Sequence, residues 1–243
     1  MADLIFEHLR LAQIYDGLET ERPDLDLYLG LVNELGARSV LDIGCGTGTF
    51  ACLLADRGVK VIGLDPAEAS LDVARAKCGQ SVRWIHGELK ALPRLQVDLA
   101  TMTGNVAQVF LGDEDWDSVL RGTRQSLRSG GHVAFESRDP AKKAWLEWTR
   151  ERSFRRVSIA GEGLETWTDL LDVQQQLVSF RTTFVFERDG AVLTSDSTLR
   201  FRERDQLTDS LKRAGMRVED IRDAPDRPGR EFVFIAQRPE DER

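Results

Sequence analysis

The 243-residue sequence has no apolar run long enough to cross a bilayer, so it offers no candidate membrane-spanning helix. Its opening residues, MADLIFEHLR, lack both a basic start and an apolar centre, so no signal peptide is expected. Cysteine is scarce. Cys45, Cys52 and Cys78 have neither metal-ligand spacing nor the even number of a disulfide framework. Reduced thiols in a cytoplasmic protein with no metal site are the expectation. Positive charge is in deficit, 33 basic side chains against 41 acidic ones, for a net charge of -8. Such a surface repels phosphate backbones, which speaks against a nucleic-acid partner. Repeats and low-complexity segments are absent. An apolar share of 41% supplies a sizeable core, and the length suits one α/β domain with a moderate insertion.

From residue 39 to about 140, short branched apolar runs alternate with amphipathic stretches. SVLDI (39–43), VKVIGL (59–64), SVRWI (81–85), VDLATM (97–102) and HVAFE (132–136) read as strands of a parallel sheet. Between them, 47–57, a stretch opening near Pro66, and a stretch capped by Asp113 and closed by Gly130-Gly131 read as helices. Strand alternating with helix implies right-handed crossovers. Asp139-Pro140 predicts a further helix to about Arg150. From 164 to 201 the period becomes two, with a turn at RDG (188–190), as in an antiparallel sheet. Leu207, Leu211 and Ala214 mark a last helix stopped by Gly215. MRVEDI and EFVFIAQ follow as closing strands, and the tail RPEDER is expected to be loose.

The most informative stretch is VLDIGCGTGTF (40–50), where an apolar strand ends in Asp42 and then carries Gly44, Gly46 and Gly48. No lysine follows the last glycine, so the phosphate-gripping loop of nucleotide hydrolases is excluded. The dinucleotide fingerprint needs its third glycine one place later, where Thr49 stands. An acid beside the loop suits a ligand bearing an ammonium group. Asp65, 21 positions after Gly44, ends the second strand; it reads as an acceptor from ribose hydroxyls or as a cap before Pro66.

Asp42–Gly48 with Asp65 resembles the S-adenosylmethionine site of class I methyltransferases. GEL (87–89), DLATMTGNV (98–106), LRSGGHVAFE (127–136) and LKRAGMRVEDI (211–221) resemble further pieces in the order of that family. Tyr15-Asp16 and the strand-rich segment before the last helix narrow the likeness to small-molecule enzymes such as bacterial sugar N-methyltransferases. Glu88 departs from the family, which has Asp there. The resemblance implies a Rossmann-like seven-stranded sheet with its last strand antiparallel, helices on both faces and an antiparallel β insert. It divides the chain into an N-terminal helical lid (1–38), a cofactor-binding core (39–140), a helix plus β insert that roofs the acceptor or makes a dimer contact (141–202), and the last helix and closing strands (203–243).

The function implied is methyl transfer from S-adenosyl-L-methionine to a nitrogen or oxygen of a small molecule. A non-catalytic S-adenosylmethionine sensor or scaffold and a nicotinamide-dependent oxidoreductase are the alternatives. The implied cofactor contacts are Tyr15, Asp42, Gly44, Cys45, Gly46, Gly48, Asp65, Pro66, Glu88, Leu89 and Thr103. Tyr15, Asn105, Glu136 and Arg138 are the candidates for touching the acceptor. His8, His86 and His132 are not expected to act as bases. The basic cluster Arg150, Arg152, Arg155 and Arg156, with Lys142 and Lys143, reads as a solvated helix face or an anion site. A DNA-base acceptor is disfavoured, because TGNV replaces the N/D-P-P-Y/F motif and no cysteine follows a proline. A homodimer is compatible with all of this.

Overall fold

The computed structural model describes residues 2–240. The last three residues of the expected loose tail, 241–243, lie outside the described residues. Three helices open the chain: α1 (Leu4–Glu7), α2 (Leu9–Leu18) and α3 (Asp24–Glu34). The alternating core follows as β1 (Ser39–Ile43), α4 (Thr49–Ala55), β2 (Lys60–Asp65), α5 (Glu68–Cys78), β3 (Val82–His86), β4 (Val97–Met102), α6 (Asp113–Ser126) and β5 (Leu127–Arg138). The short α7 (Arg150–Ser153) leads into β6 (Arg155–Ile159), β7 (Glu162–Gln174), β8 (Leu177–Phe186) and β9 (Val192–Arg200). Then α8 (Arg204–Arg213), β10 (Arg217–Asp223) and β11 (Glu231–Gln237) complete it.

Seven strands form one sheet in the order β10-β11-β5-β4-β1-β2-β3, and only β11 runs against the others. The branched residues of β1 and β4 are sealed on both faces, as a buried parallel sheet requires. On one face lie Trp116 and Leu120 of α6 with Leu207 and Leu211 of α8; on the other lie Leu25 and Leu31 of α3 with Phe50 and Leu54 of α4. The antiparallel register sets Phe234 opposite Phe135, with ring centroids 5.3 Å apart. Truncating such a buried ring to alanine costs about 3–5 kcal/mol. Strand order reverses between β1 and β4, so the crevice for a ligand opens at their carboxyl ends.

Strands β6-β7-β8-β9 make a separate antiparallel sheet. Leu164, Phe184 and Phe186 of that sheet pack against Leu11, Ile14 and Leu18 of α2. Ile5 N also donates to Ser195 Oγ at 2.9 Å. The added sheet therefore supports the opening helices directly.

Several sequence expectations are corrected. Asp113 is the first residue of α6 and Gly112 holds the cap position. That helix ends at Ser126, and Gly130-Gly131 lies inside β5, where a Cβ on Gly131 would stand 3.0 Å from the Arg128 carbonyl oxygen. Pro66 precedes α5 by two residues instead of occupying its first turn. Asp139 caps as expected, accepting from Ala141 N at 2.9 Å. The helix it opens breaks at Lys143, whose φ is +48°, leaving two 3-10 turns before α7. The antiparallel sheet begins at Arg155, so Arg155 and Arg156 sit on a strand and do not share a helix face with Arg150 and Arg152. Arg156 pairs with Glu187 at 2.7 Å and Arg150 covers the Trp167 ring at 4.0 Å.

The expectation of three reduced thiols also fails. Cys52 of α4 and Cys78 at the end of α5 form a disulfide, leaving Cys45 as a buried free thiol. Their 26-residue separation in sequence gave no cue; the side-by-side course of α4 and α5 brings their Cα atoms to 5.8 Å.

Candidate active site

The glycine loop leaves β1 at the centre of the sheet, and its three glycines answer to different demands. A Cβ on Gly44 would strike Val106 at 2.6 Å, and one on Gly48 would strike Trp84 at 2.5 Å. At Gly46, where φ is +53°, nothing lies within 4 Å of the Cβ position. Gly44 and Gly48 thus let elements approach, whereas Gly46 presents bare backbone to open space. Left-handed backbone there disfavours any other residue.

Asp65 braces this bend from the end of β2. Its Oδ2 accepts from Gly46 N at 2.7 Å and its Oδ1 from Ala67 N at 2.8 Å. Burial pushes its carboxyl pKa up, against the pull of those two amides. Each oxygen keeps a lone pair, so bracing the loop and receiving a diol are compatible.

Asp42 is 1% exposed. Thr101 Oγ1 donates to its Oδ1 at 2.9 Å, while its Oδ2 is buried without a hydrogen-bond partner. Burial raises this carboxyl to about 7, with Thr101 and the Arg22 charge pulling it partway down and Asp65 pushing it up. A buried acceptor with an unused oxygen fits a ligand ammonium, and Asp65 with the open Gly46 backbone fits the ribose beside it. The donor set thus fits S-adenosylmethionine.

The floor comes from the turn after β4. Thr103 is buried, and Asn105 adopts left-handed backbone at φ +63°. Its N–H donates to Glu136 Oε1 at 2.6 Å, and Tyr28 of α3 donates its hydroxyl to Glu136 Oε2. Burial raises Glu136 to about 8, opposed by the Asn105 amide and reinforced by Glu231. Asn105 Nδ2 reaches Glu231 Oε1 at 3.3 Å, and its own Oδ1 is buried and unpaired. Arg138 donates to Gln108 Oε1 at 3.0 Å, lies 3.6 Å from Glu231 and sits 5.8 Å from the Trp148 ring centroid.

The opening helices reach the glycine loop through α2. Asp16 of α2 accepts from Thr47 Oγ1 at 2.6 Å and Thr49 Oγ1 at 3.2 Å, and Lys77 reaches it at 2.6 Å. Tyr15 packs against Phe6 with centroids 5.4 Å apart, and burial raises its phenol pKa. Arg22, between α2 and α3, is gripped by Asp24 through Nε at 2.9 Å and Nη2 at 2.7 Å. Nothing in the sequence distinguished it from the other basic residues.

The structure joins these residues in two groups: Asp42 to Thr101 and Gly46 to Asp65 around the glycine loop, and Asn105 to Glu136 beside the turn after β4. Cys45 and Gly48 lie within the loop, buried beside β2 and Trp84. Pro66 is exposed, and its carbonyl faces His86 Nε2 at 2.9 Å. Glu88 turns to solvent and pairs with Lys90 at 2.7 Å, while Leu89 packs into the core beside it. His86 also approaches Glu68 at 3.1 Å and His132 approaches Glu219 at 2.9 Å. Tyr28 and Glu231 complete the buried network around Glu136. Glu231 was read from the sequence only as the start of a strand.

Residues 40–131 match the family model described as a methyltransferase domain. A cypemycin N-terminal methyltransferase from Streptomyces is 33% identical over 110 residues, covering 44% of this chain and 45% of the relative. The chain thus matches about half the length of that relative. Among solved structures, an S-adenosylmethionine-dependent methyltransferase of Clostridium acetobutylicum superposes with TM-score 0.76 at 16% identity, over 95% of this chain and 98% of the other. An amino pentose methyltransferase of Micromonospora echinaspora, solved with S-adenosylmethionine bound, gives TM-score 0.71 at 18% identity over 93% and 97%. The fold is the one these methyltransferases share.

Proposed function

We propose that this chain, with a methyltransferase-family match over residues 40–131 and the class I methyltransferase fold, transfers a methyl group from S-adenosyl-L-methionine to a small molecule. The observation that carries the reading is the buried, unpartnered Oδ2 of Asp42 beside the open Gly46 backbone and Asp65. When bound, S-adenosylmethionine supplies an electrophilic methyl on a sulfonium centre. Asp42 would hold its ammonium, Asp65 its ribose hydroxyls, and the loop at Gly44–Gly48 would lie along its chain. Thr103 would line the floor and Leu89 the adenine side. Glu88 would need to turn from Lys90 to reach an adenine.

The work left to the protein is alignment and exclusion of water, which can contribute on the order of 7–11 kcal/mol. Asn105, Glu136 and Arg138 orient the acceptor, and Tyr15 closes over it. A base is needed only for a nucleophile that must lose its proton early. The acceptor atom is a nitrogen or an oxygen, since N- and O-methyltransferases both stand among the similar proteins.

The reading includes a small-molecule partner instead of nucleic acid, and the added sheet as acceptor roof or dimer contact. Among the described residues no helix is long and apolar enough to cross a membrane. A cytoplasmic setting is part of the reading; the Cys52–Cys78 disulfide counts against it, since cytosolic thiols are kept reduced. Calorimetric titration with S-adenosylhomocysteine, followed by label transfer from S-adenosylmethionine to a panel of amines and alcohols, tests the proposal. No heat of binding would remove it, and tight binding without transfer to any acceptor would favour the sensor alternative.

A further inference from the structure

We propose that the Cys52–Cys78 disulfide is a redox switch on the cofactor site. Closed, it holds Lys77 as a bolt between the opening helices and the glycine loop. Opened by a dithiol, it lets the bolt slip and the cofactor exchange faster. The effect on the cofactor rests on the S-adenosylmethionine reading above.

The bolt joins three elements. Lys77, in the last turn of α5, donates to Thr49 Oγ1 at 3.0 Å and pairs with Asp16 Oδ2 at 2.6 Å. Through its other oxygen Asp16 of α2 accepts from Thr47 of the glycine loop at 2.6 Å. Lys77 is the only cation paired with Asp16 among the described residues. The disulfide ties the same two helices at the neighbouring positions: Cys78 follows Lys77, and Cys52 lies one turn beyond Thr49 on the same side of α4. After Cys78 the chain leaves the helix at Gly79, whose φ is +56°. A terminal turn of this kind frays once a covalent tie is removed. The released ammonium has another place to go. A solvent-open cavity of about 370 Å³ lies beside the bolt, lined by Asp16, Thr49 and Lys77 and by two further carboxylates, Glu19 and Asp26.

The sulfur chemistry is confined to this pair. Cys52 is 7% exposed, whereas Cys78 is half-buried beside exposed Gly79, so a thiolate from solvent attacks the Cys78 sulfur. That attack forms a mixed disulfide and expels Cys52, which takes up a proton. The dithiol's second sulfur then displaces Cys78 and closes its own disulfide, so two electrons and two protons pass to the protein. Cys45 takes no part, since burial pushes its pKa well up and leaves little thiolate. The open form belongs to a reducing compartment and the closed form to oxidising conditions.

The test compares oxidised protein with protein reduced by dithiothreitol, with circular dichroism reporting the folded state of each. Reduction is expected to raise amide hydrogen exchange across α2 and to speed S-adenosylhomocysteine dissociation about 3- to 10-fold, and oxidised dithiothreitol should reverse both. Cys78→Ser should match the reduced wild type. Lys77→Met, with its bridge intact, should release the compound at the reduced rate whether oxidised or reduced. Equal dissociation rates in the two wild-type states overturn the switch, as does a full redox response in Lys77→Met. A bridge that dithiothreitol opens only by unfolding the protein is a structural tie, and that result overturns the switch as well. Wild-type protein whose α2 exchange responds to reduction but which binds no S-adenosylhomocysteine defeats the methyltransferase reading and upholds the bolt on the helices.

Discussion

The Gly46 amide donates to Asp65 Oδ2 at 2.7 Å, tying the middle of the glycine loop to the end of the neighbouring strand. One carboxylate thus shapes the loop and faces the space the loop encloses. Asp65→Ala removes the acceptor of two backbone amides and is expected to cost about 1–3 kcal/mol of stability. It should also weaken S-adenosylhomocysteine binding at least about tenfold. Thermal unfolding and calorimetry measure the two effects separately, and an unchanged dissociation constant would leave Asp65 as a structural brace only.

Gly46 and Gly48 should respond differently to substitution. Gly46→Val meets open space, so its folding penalty is mainly the left-handed backbone, about 1–2 kcal/mol. It should abolish binding in a protein that still unfolds cooperatively. Gly48→Ala adds a Cβ 2.5 Å from Trp84 and 2.8 Å from Ala74, and should lower stability further by about 1–3 kcal/mol. Retained affinity in Gly46→Val would show that the bare bend is not the ligand surface.

Stability should decline between about pH 4.5 and 8. Burial raises Glu136 from 4.5 to about 8 and Asp42 from 3.8 to about 7. In that window the folded protein holds protons that the unfolded chain releases, so rising pH favours unfolding. The contribution is whole below the unfolded values and is lost as pH climbs through the folded ones. Glu136→Gln keeps one acceptor, its amide oxygen for the Asn105 N–H, presents its amide NH2 as a donor to the Tyr28 hydroxyl oxygen, and does not titrate. Its melting temperature should fall less than that of the wild type between pH 5 and pH 8; parallel curves would show that Glu136 stays charged.

The disulfide makes a countable prediction. Denatured without reductant, the protein should show one reactive thiol, Cys45, and after reduction three. Cys52→Ser should lower stability by roughly 3–4 kcal/mol, the loop-closure value for a bridge of this span. Three thiols in unreduced protein would place both helices in the folded state without a covalent tie.

The alternation of β1 to β5 was legible because buried parallel strands are nearly pure apolar runs, and EFVFIAQ matched β11 residue for residue. Boundaries failed where tertiary contacts decide them. Gly130-Gly131 looks like a helix stop, yet Gly131 is needed because three carbonyl oxygens crowd its Cβ position from 3.0 to 3.1 Å. RRVSI (155–159) carries too few apolar residues to announce a strand, and it becomes one by pairing with β7. Asp42 and Asp65 stood out because each ends a strand beside the glycines. Arg22 and Glu231 did not, since one charged residue among many acquires a role only when the fold sets it against a particular neighbour.

The opening helices are fastened on two sides, through Asp16 to Thr47 of the glycine loop and through Ile5 to Ser195 of the added sheet. On the proposed lid role, a guest beneath them would leave only after these fastenings, among others, yield. Its residence time is then expected to depend in part on a hydroxyl of the outer sheet, Ser195, which accepts from Ile5 N at 2.9 Å. Replacing Ser195 with alanine should speed departure, read by stopped-flow fluorescence, with little change in the groups that grip the guest; an unaltered departure rate would mean the helices swing free of that sheet.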